Sequence, residues 1–461
     1  MENQDKIYDL IVIGAGPAGY SAAMTASGSG LATLIADSGN ALGGTCLNRG
    51  CIPTKAMLHS SSLVRQIRSA SGFGVDASVS LDEEKLFAYR DETVKILVAG
   101  LEQSVKACGV TIVKGKASMV SGYENGAISV QIGDSVYKAK DVLLATGTEP
   151  SLPPVEGIDS GAVITSNDIL EGKELPESLI IIGGGVIGCE FASLYTDLWR
   201  KVTVIEALPR ILANMDKDVA RNLQMILKSR GADIYSGAAV SRISSSEAGA
   251  EVTFSVDGEE KSVYADKVLV ATGRRAVIPE GLAGKLATAG GRIVTDERGR
   301  TSMEHIYAAG DITAGIQLAH KASAEGKNIA MVLAGKKPVY DMNCIPACVY
   351  CSPEIACAGM TETEAKESGI SIVTARALTS ANSRAVITRE ERGFIKLVAD
   401  KERGTLIGAQ LMCANASDII GELSLAIANR LSIEDCIKSV RPHPSYEEAV
   451  GAAFEELLKK I

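Results

Sequence analysis

Residues 6–37 read KIYDLIVIGAGPAGYSAAMTASGSGLATLIAD. After an apolar, β-branched run, Gly14, Gly16 and Gly19 follow in G-x-G-x-x-G spacing, and a small-residue stretch leads to a second strand ending at Asp37. The first glycine of such a motif makes the turn, the second lets the backbone approach a pyrophosphate, and the third lets helix and strand pack closely. The helix N-terminus holds the phosphates and the acid takes a ribose hydroxyl. The stretch therefore predicts a β-α-β unit that binds a dinucleotide.

The same pattern recurs at residues 177–207, ESLIIIGGGVIGCEFASLYTDLWRKVTVIEA. Gly183, Gly185 and Gly188 repeat the spacing after an apolar strand, and a second strand ends at Glu206. A second copy of the unit is expected if the protein binds two dinucleotides.

The acid of the second copy indicates which nucleotide it takes. Glu206 at the strand end favours a free 2′-hydroxyl and hence NAD over NADP. Arg210 lies four residues further on and could meet a 2′-phosphate, but Glu206 would repel that phosphate. The second unit is therefore predicted to bind NAD.

Composition limits the classes of partner. The chain has 461 residues, enough for several domains with full cores, and its ten cysteines are too few for a disulfide-rich secreted protein. A net charge of −9 argues against nucleic acid or an anionic membrane as partner. The N-terminal MENQDKIYDLIVIGAG has no signal-peptide pattern, and no run reaches the ~18 apolar residues of a membrane span. We expect a soluble protein in the reducing cytoplasm.

Each half of the chain also carries an apolar strand closed by a small turn. These strands are DVLLATGTEP, with Thr146 and Gly147, and KVLVATGRRA, with Thr272 and Gly273. They resemble the last strand of each sheet, returning near a cofactor. The prolines after the first of them, at positions 150, 153 and 154, indicate a domain boundary.

Residues 43–55, GGTCLNRGCIPTK, place two cysteines, Cys46 and Cys51, close together. A bridge closing so short a loop is worth only ~2 kcal/mol on the chain-entropy model. A structural disulfide is therefore a poor explanation of the pair, and a chemical role is a better one.

Two dinucleotide units with a C-x4-C motif resemble the flavoprotein disulfide reductases, and GGTCLNRGCIPTK is most similar to the members that oxidise dihydrolipoyl groups. The resemblance covers essentially the whole chain. The other matching motifs are YAAGDI at residues 307–312, LAHKASAEG at 318–326, ANSRA at 381–385 and HPSYEE at 443–448.

The resemblance implies an α/β fold with two Rossmann-like dinucleotide-binding domains, for FAD and NAD, plus an α+β dimerisation domain. The implied boundaries are 1–148 for the first part of the FAD domain, 149–274 for the NAD domain, 275–343 for the central second part of the FAD domain and 344–461 for the interface domain. In the last, GFIKLVAD and GTLIGAQLM are expected to be strands, followed by helices from Ala416.

The resemblance also implies which residues hold each cofactor. For FAD these are Gly14, Gly16, Gly19, Asp37, Thr45, Lys55, Gly115, Ala117, Thr146, Gly147, Asp311 and Ala319. For NAD they are Gly183, Gly185, Gly188, Glu206, Val240 and Gly273.

Within this family the cysteine pair is a redox disulfide on one face of the flavin. Cys51 would lie against the ring and Cys46 would exchange with the substrate. An unbroken helix would not allow the bridge, because residues five apart rise ~7.5 Å and their Cα atoms exceed the ~7 Å limit for a disulfide. Residues 48–50 are therefore expected to bend the chain, with Pro53 early in a new helix and Cys51 near its N-terminus, where the dipole favours a thiolate.

Thiol exchange also needs a base. By resemblance His443 takes the substrate proton, Glu448 orients it, and the imidazole serves the cysteines of the other subunit, so a homodimer is implied. Lys55 and Glu190 would form an ion pair beside the flavin, where hydride transfer to NAD occurs. The remaining histidines are interpreted as structural, at positions 59, 305 and 320.

The implied reaction oxidises a dihydrolipoyl group to lipoyl through the cysteine pair and FAD, and reduces NAD. Because the first predicted strand begins by Ile7, we expect the lipoyl group to arrive on another protein, in a 2-oxo acid dehydrogenase or glycine cleavage complex. The alternative is an NAD(P)H-dependent reductase of another small disulfide, such as glutathione, which normally uses NADP. A non-catalytic flavin-bearing subunit is a further alternative, and the complete set of catalytic residues argues against it.

Three positions depart from the family pattern: Arg441, Ser445 and Arg49. They are expected at or near the disulfide and so bear on the identity of the dithiol. A second cysteine group invites a metal-site interpretation, but its C-x3-C-x2-C-x5-C spacing fits neither zinc knuckles nor ferredoxins, and no metal site is predicted. Its members are Cys344, Cys348, Cys351 and Cys357.

Overall fold

The computed structural model describes residues 6–39, 41–247, 249–390 and 392–461. The strands within these residues are β1 Ile7–Ile13, β2 Thr33–Asp37, β3 Thr111–Lys114, β4 Ala117–Met119, β5 Ile128–Ile132, β6 Ser135–Leu144, β7 Thr148–Pro150, β8 Val163–Thr165, β9 Ser178–Ile182, β10 Lys201–Glu206, β11 Asp233–Ser236, β12 Ala239–Ser246, β13 Gly249–Val256, β14 Glu259–Ala265, β15 Lys267–Val270, β16 Arg274–Ala276, β17 Thr288–Ala289, β18 Arg292–Ile293, β19 Ile306–Ala308, β20 Ala347–Val349, β21 Glu354–Gly359, β22 Ile372–Leu378, β23 Phe394–Asp400 and β24 Thr405–Cys413.

The α-helices in the same residues are α1 Pro17–Gly28, α2 Gly44–Arg49, α3 Cys51–Arg68, α4 Glu83–Ala107, α5 Ser166–Glu171, α6 Val186–Asp197, α7 Lys217–Ser229, α8 Ala319–Leu333, α9 Glu362–Glu367, α10 Ser383–Ile387, α11 Ala416–Ala428, α12 Ile433–Ile437 and α13 Glu447–Leu458. Short 3₁₀ helices occur at Ala70–Phe73, Gly310–Ile312 and Thr379–Ala381. None of the helices among the described residues combines the length and the apolar character that crossing a membrane requires.

The chain forms two compact units, and the first comprises the described residues of Met1–Ala56, Glu84–Ser151 and Gly273–Met342. Its sheet has the order β3-β2-β1-β6-β5-β4, with β19 also paired to β6. Strands β1, β2, β3, β6 and β19 run parallel, whereas β4 and β5 are antiparallel additions.

The apolar run of β1 explains why this strand lies inside the sheet. Ile11 and Ile13 contribute to the core on one face, while Leu10 and Val12 contribute to the core on the other. Strand residues alternate between faces, so a continuous apolar run suits a parallel strand that is covered on both sides.

The second unit comprises Met57–Glu83, Leu152–Thr272 and the described residues of Asn343–Ile461. It contains a parallel sheet in the order β11-β10-β9-β15-β8, an antiparallel sheet of β12-β13-β14, and an antiparallel sheet in the order β20-β21-β24-β23-β22. Helices α11 and α13 pack on this last sheet.

The predicted fold class is confirmed. Each parallel sheet contains a strand followed by a glycine turn and a helix, at β1–α1 and at β9–α6. The strands expected at GFIKLVAD and GTLIGAQLM are β23 and β24, and α11 begins at Ala416 as expected. The four domain boundaries stay a prediction.

Candidate active site

In the first glycine turn, backbone contacts leave no room for a side chain at two of the three glycines. Gly14 has a φ of +103°, and a Cβ there would collide with the carbonyl oxygen of Ala145. A Cβ on Gly19 would collide with the carbonyl oxygen of Gly14. A Cβ on Gly16 would meet only the Cα of Gly44, at 4.0 Å. The protein's own packing therefore requires the outer glycines, while the middle one leaves a cradle that a pyrophosphate fits and a side chain would fill.

The second turn repeats this arrangement. Gly183 has a φ of +112°, and a Cβ there would lie 2.5 Å from the carbonyl oxygen of Ala271. A Cβ on Gly188 would collide with the carbonyl oxygen of Gly183, whereas a Cβ on Gly185 would meet no atom of the described residues within 4 Å. Helices α1 and α6 both begin without a side-chain cap, so their first N–H groups are suited to receive phosphate oxygens.

The two acids after the second strands also have matching contacts. Asp37 accepts hydrogen bonds from Ala15 N at 2.6 Å and Gly39 N at 2.7 Å. Glu206 accepts from Gly184 N at 2.5 Å and from Leu208 N at 2.7 Å. A carboxylate has about four lone-pair positions, so each can still accept a ribose hydroxyl.

Arg210 is occupied within its own loop. Its Nη2 donates to the carbonyl oxygens of Ala213 at 2.7 Å and Met215 at 3.0 Å. The guanidinium thus holds the backbone that comes after Glu206. This contact favours the interpretation of the second unit as an NAD site over an NADP site.

The cysteine pair lies at a break between two helices. Helix α2 ends at Arg49, α3 begins at Cys51, and Gly50 between them has φ −148° and ψ −110°. The carbonyl oxygen of Gly50 accepts from Thr54 N at 3.1 Å and Thr54 Oγ1 at 2.7 Å. The predicted bend and the place of Cys51 at the start of a helix are confirmed.

The segment carrying the thiols is attached to the first glycine turn. Gly43 N donates to the Ala15 carbonyl oxygen at 2.8 Å, and a Cβ on Gly44 would lie 2.6 Å from the Cα of Gly16. Asn48 Nδ2 donates to the Gly44 carbonyl oxygen at 3.0 Å. The redox pair is therefore built on the turn that would hold the first dinucleotide.

The two thiols are hydrogen-bonded to each other, which is the reduced form of the pair. This hydrogen bond raises the pKa of Cys46, and burial and the nearby charge of Cys51 raise it further, while Lys55 acts in the opposite direction. Cys51 is at the N-terminus of α3. The helix dipole favours the thiolate at that position.

Asp311 belongs to a buried polar cluster that the sequence pattern did not reveal. Arg274 donates from Nε to Thr148 Oγ1 at 2.9 Å and from Nη2 to Thr148 O at 2.8 Å. Thr148 Oγ1 donates to Asp311 Oδ2 at 3.4 Å, and Arg292 donates to Asp311 O. Burial raises the pKa of Asp311, although Arg274 lowers it. The signal for Arg274 was its position directly after the small turn at Gly273.

The remaining predicted FAD residues also lie in the first unit. Gly115, with φ +152°, donates from its N–H to Asp37 O at 2.9 Å, and Thr146 Oγ1 donates to Val277 O at 2.5 Å. Gly147 has φ +66°. The others begin or lie within secondary-structure elements: Thr45 in α2, Lys55 in α3, Ala117 in β4 and Ala319 in α8.

The other predicted NAD residues are divided between the units. Val240 lies in β12 of the second unit. Gly273 belongs to the first unit, where its carbonyl oxygen accepts from Ser151 N at 3.0 Å. Their roles at NAD stay predictions.

Glu190 is a buried carboxylate on α6, with 4% of its surface exposed. Its Oε1 accepts a hydrogen bond from Tyr350 N at 3.1 Å. Its pairing with Lys55 stays a prediction.

The structure brings His443 and Glu448 together. His443 Nδ1 lies 2.8 Å from Glu448 Oε1, and Ser445 N donates to Glu448 Oε2 at 3.0 Å. The hydrogen bonds from Ser445 and His443 lower the pKa of Glu448. Asn382, in the ANSRA motif, donates to Ser445 O at 2.8 Å and so holds this loop. The His443 side chain is 70% exposed and faces solvent in the single chain.

The departures from the family pattern differ in exposure. The Arg441 side chain is only 7% exposed, pairs with Glu422 at 2.5 Å and lies over the Phe454 ring at 5.4 Å. Ser445 Oγ is buried and has no hydrogen-bond partner among the residues that the structure describes. Arg49, at the end of α2, is exposed. Arg441 therefore serves the packing of its own domain, and Arg49 is the departure that faces solvent next to the cysteine pair.

Members of the second cysteine group contact different parts of the second unit. Cys344 Sγ donates to Ser424 O at 3.6 Å and Cys351 Sγ donates to Cys189 O at 3.4 Å. Burial raises the pKa of Cys357 to about 11. Among the residues that the structure describes, no three or more metal-ligating side chains are grouped to hold an ion.

Comparison with known proteins gives matches over nearly the whole chain. Residues 8–326 match the family model described as pyridine nucleotide-disulphide oxidoreductase, and residues 345–454 match its dimerisation domain. A dihydrolipoyl dehydrogenase of Geobacillus stearothermophilus is 39% identical over 98% of this chain and 96% of its own length. One from Halobacterium salinarum is 35% identical with the same coverage.

Solved structures give the same result. LpdA from Mycobacterium tuberculosis superposes with a TM-score of 0.89 at 26% identity, covering 97% of this chain and 99% of that chain. The HOCl-induced flavoprotein disulfide reductase RclA from Escherichia coli, in its Cu(II) complex, superposes with a TM-score of 0.85 at 28% identity, covering 98% and 99%.

Proposed function

Because the chain belongs to the pyridine nucleotide-disulphide oxidoreductase family, we propose that it is a dihydrolipoyl dehydrogenase, which oxidises dihydrolipoyl groups and reduces NAD. The observation that carries the proposal is the hydrogen-bonded pair of Cys46 and Cys51 at the start of α3, fixed on a dinucleotide-binding turn. Full-length identity of 35–39% to dihydrolipoyl dehydrogenases supports the choice of substrate.

The two glycine turns fit FAD and NAD. The cradle at Gly16 and the uncapped start of α1 would hold FAD on the first unit, with Asp37 at its ribose. The cradle at Gly185 would hold NAD on the second unit, with Glu206 at the ribose. Bound FAD would carry the electron pair from the cysteines to NAD, which takes it up as hydride.

The cysteine pair performs the exchange with substrate. In the oxidised enzyme a dihydrolipoyl thiolate attacks the sulfur of Cys46, the bond between Cys46 and Cys51 breaks, and Cys51 leaves as a thiolate. The second substrate thiolate then attacks the substrate sulfur of the mixed disulfide, releasing oxidised lipoyl and the Cys46 thiolate. The position of Cys51 at the N-terminus of α3 and the charge of Lys55 favour the thiolate that leaves first.

The proton of the substrate thiol goes to His443. Its Nδ1 is engaged by Glu448, which leaves Nε2 as the acceptor. Ser445 N holds the same carboxylate, so the imidazole is oriented before substrate arrives. In the proposed homodimer His443 acts on the cysteine pair of a second copy. The match of residues 345–454 to a dimerisation domain supports that arrangement.

Besides the second copy of the chain, the proposed partner is a protein that bears the lipoyl group, as part of a multienzyme complex. We place the activity in the cytoplasm, because a dithiol that is re-formed in every cycle suits a reducing compartment.

An anaerobic assay tests the proposal. Purified FAD-loaded protein is mixed with dihydrolipoamide and NAD, with NADP in a parallel sample, and NADH formation is followed. We expect rapid reduction of NAD and slow reduction of NADP. Absence of turnover with dihydrolipoamide, together with reduction of glutathione disulfide by NADPH, would replace the proposal with a small-disulfide reductase.

A further inference from the structure

A buried charge cluster in the second unit takes no part in the proposed reaction. Lys396, in the middle of β23, is 4% exposed. Its Nζ lies 3.0 Å from Asp216 Oδ2, 3.0 Å from Asp218 Oδ2 and 2.9 Å from Glu362 Oε2. Asp216 is itself only 3% exposed. A lysine so deeply buried among three carboxylates is a fixed point in this unit, because removing either sign of charge leaves the other desolvated.

Asp216 connects this cluster to the backbone that comes after Glu206. Its Oδ1 accepts from Asp218 N at 2.8 Å and so caps the N-terminus of α7, while its Oδ2 faces Lys396. The residues between Glu206 and α7, 207–216, therefore end at Asp216, whose carboxylate is paired with Lys396 of β23.

The earlier part of residues 207–216 contacts the residues predicted to bind the nucleotide. Leu208 N donates to Glu206 Oε1 at 2.7 Å, and Leu212 N donates to the Gly184 carbonyl oxygen at 2.8 Å. Arg210 ties the middle to the carbonyls of Ala213 and Met215. Residues 207–216 thus contact the Glu206 carboxylate, the glycine turn and, through Asp216, Lys396.

We propose that Lys396 is a positioning residue for the pyridine nucleotide: through Asp216 it holds residues 207–216, and thereby the Glu206 carboxylate and the glycine turn, in the geometry that binds the adenosine half. The inference rests on the proposed function only in taking this turn as the nucleotide site. It assigns no contact between Lys396 and the nucleotide. The effect is therefore on affinity for the nucleotide and not on the exchange of thiols.

The electrostatics agree with this role. Burial by itself lowers the pKa of Lys396, but the hydrogen bonds to the three carboxylates outweigh it, so the pKa is raised. Hydrogen bonds from Lys366 and Lys396 lower the pKa of Glu362 to about 2. Lys396 and Glu362 are therefore both charged over the range in which enzymes of this kind are assayed.

The test compares Lys396→Met with Lys366→Met. Lys366 is a matched control, because it also pairs with Glu362, at 2.6 Å, yet is 62% exposed and is not among the groups around Asp216. The probe is ADP-ribose, titrated calorimetrically into the oxidised holoenzyme, since it carries the adenosine half and is not reduced. We expect Lys396→Met to raise the Kd for ADP-ribose about tenfold, within the range of coupling through packed networks, and Lys366→Met to leave it within about twofold.

Steady-state kinetics separate positioning from general damage. Lys396→Met should raise KM for NAD by a similar factor while kcat and KM for dihydrolipoamide stay within about twofold of wild type. If Lys396→Met does not fold, Asp218→Asn decides the question, because it removes one partner of Lys396 and leaves the cap by Asp216; a rise of about threefold in the Kd for ADP-ribose is then expected.

Two outcomes overturn the inference or the proposed function separately. The inference alone is overturned if the enzyme oxidises dihydrolipoamide and Lys396→Met binds ADP-ribose with an unchanged Kd. If Lys396→Met does not fold, an unchanged Kd in Asp218→Asn has the same meaning. ADP-ribose binding that depends on Lys396, in an enzyme that does not oxidise dihydrolipoamide, supports the inference and overturns the proposed function alone.

Discussion

The two glycine turns share their backbone contacts and differ in the segments to which they lead. The same interval in the sequence separates Gly14 from Gly183 and Asp37 from Glu206. That interval also separates Gly43 from Leu212, and both donate from N–H to the carbonyl of the turn's second residue at 2.8 Å. Up to this hydrogen bond the two units are equivalent, so the binding of a dinucleotide requires no difference between them.

Beyond that hydrogen bond the two units diverge. The first unit continues into α2 and α3 with Cys46 and Cys51, whereas the corresponding residues of the second are Met215 and Ala220. The second continues instead into Asp216, the cap of α7. In the proposed function the first turn leads to redox chemistry and the second to a structural anchor, so the two copies differ in the segment after the turn.

The largest expected effect comes from removing either thiol of the segment that follows the first glycine turn. Cys46→Ser and Cys51→Ser should each lower dihydrolipoamide oxidation at least about a thousandfold, because the nucleophile or its partner is lost. The second unit should still bind ADP-ribose within about twofold of wild type. Anaerobic NADH formation and calorimetric titration measure the two quantities. Cys108→Ser is the control and should retain turnover; comparable loss in all three variants would contradict the assignment.

The next effect separates packing from binding within a turn. Gly185→Ala should raise the Kd for ADP-ribose about tenfold with little change in Tm, because the added Cβ meets no protein atom and only crowds the ligand. Gly188→Ala should instead lower stability by about 1–3 kcal/mol, because its Cβ collides with the Gly183 carbonyl. Calorimetric titration and thermal melts distinguish them. An equally large loss of Tm in Gly185→Ala and Gly188→Ala would mean that the middle glycine is required by the fold.

Gly16→Ala extends that comparison to the first unit. The nearest protein atom to its Cβ is 4.0 Å away, so the variant should fold and lose FAD on gel filtration. Retention of FAD by Gly16→Ala would show that the middle glycine does not have the same role in the two turns.

The parts of the site that sequence patterns predicted are those set by local rules. The glycine spacing, the bend at Gly50 and the contact of His443 with Glu448 each depend on residues a few positions apart. The contacts of Arg274 with Thr148 and of Lys396 with Asp216 were not foreseen, because each joins segments far apart in the chain. No local pattern in GFIKLVAD marks its lysine, and only the fold shows the carboxylates around it.

Coenzyme preference tests the acid of the second copy. Glu206→Gln should lower the ratio of kcat/KM for NAD over NADP about tenfold, because the charge that repels a 2′-phosphate is removed while the shape is kept. Arg210→Met is the control: its guanidinium binds Ala213 and Met215 carbonyls, so the ratio should change by less than about twofold. Improved discrimination against NADP in Glu206→Gln would contradict the role of the carboxylate.

The smallest effect concerns pH, to which the segments after the two turns should respond differently. The first leads to Cys46, whose pKa is raised by its hydrogen bond to Cys51 and by burial. The second leads to the cluster in which the pKa of Glu362 is about 2, below its usual 4.5. A depressed carboxyl pKa stabilises the fold above the ordinary value, and this stabilisation is lost as pH falls from about 4.5 toward about 2.

Glu362→Gln should therefore be less sensitive to acid than wild type. We expect the loss of stability between pH 4.5 and 2 to be smaller in the variant by about 1 kcal/mol, since a partly exposed carboxyl is screened by solvent. Thermal melts across this range measure it, with Glu367→Gln, at the exposed end of the same helix, as control. Parallel curves for wild type and Glu362→Gln would show that the charge cluster does not stabilise the segment after the second turn, and the two copies would then differ in chemistry alone.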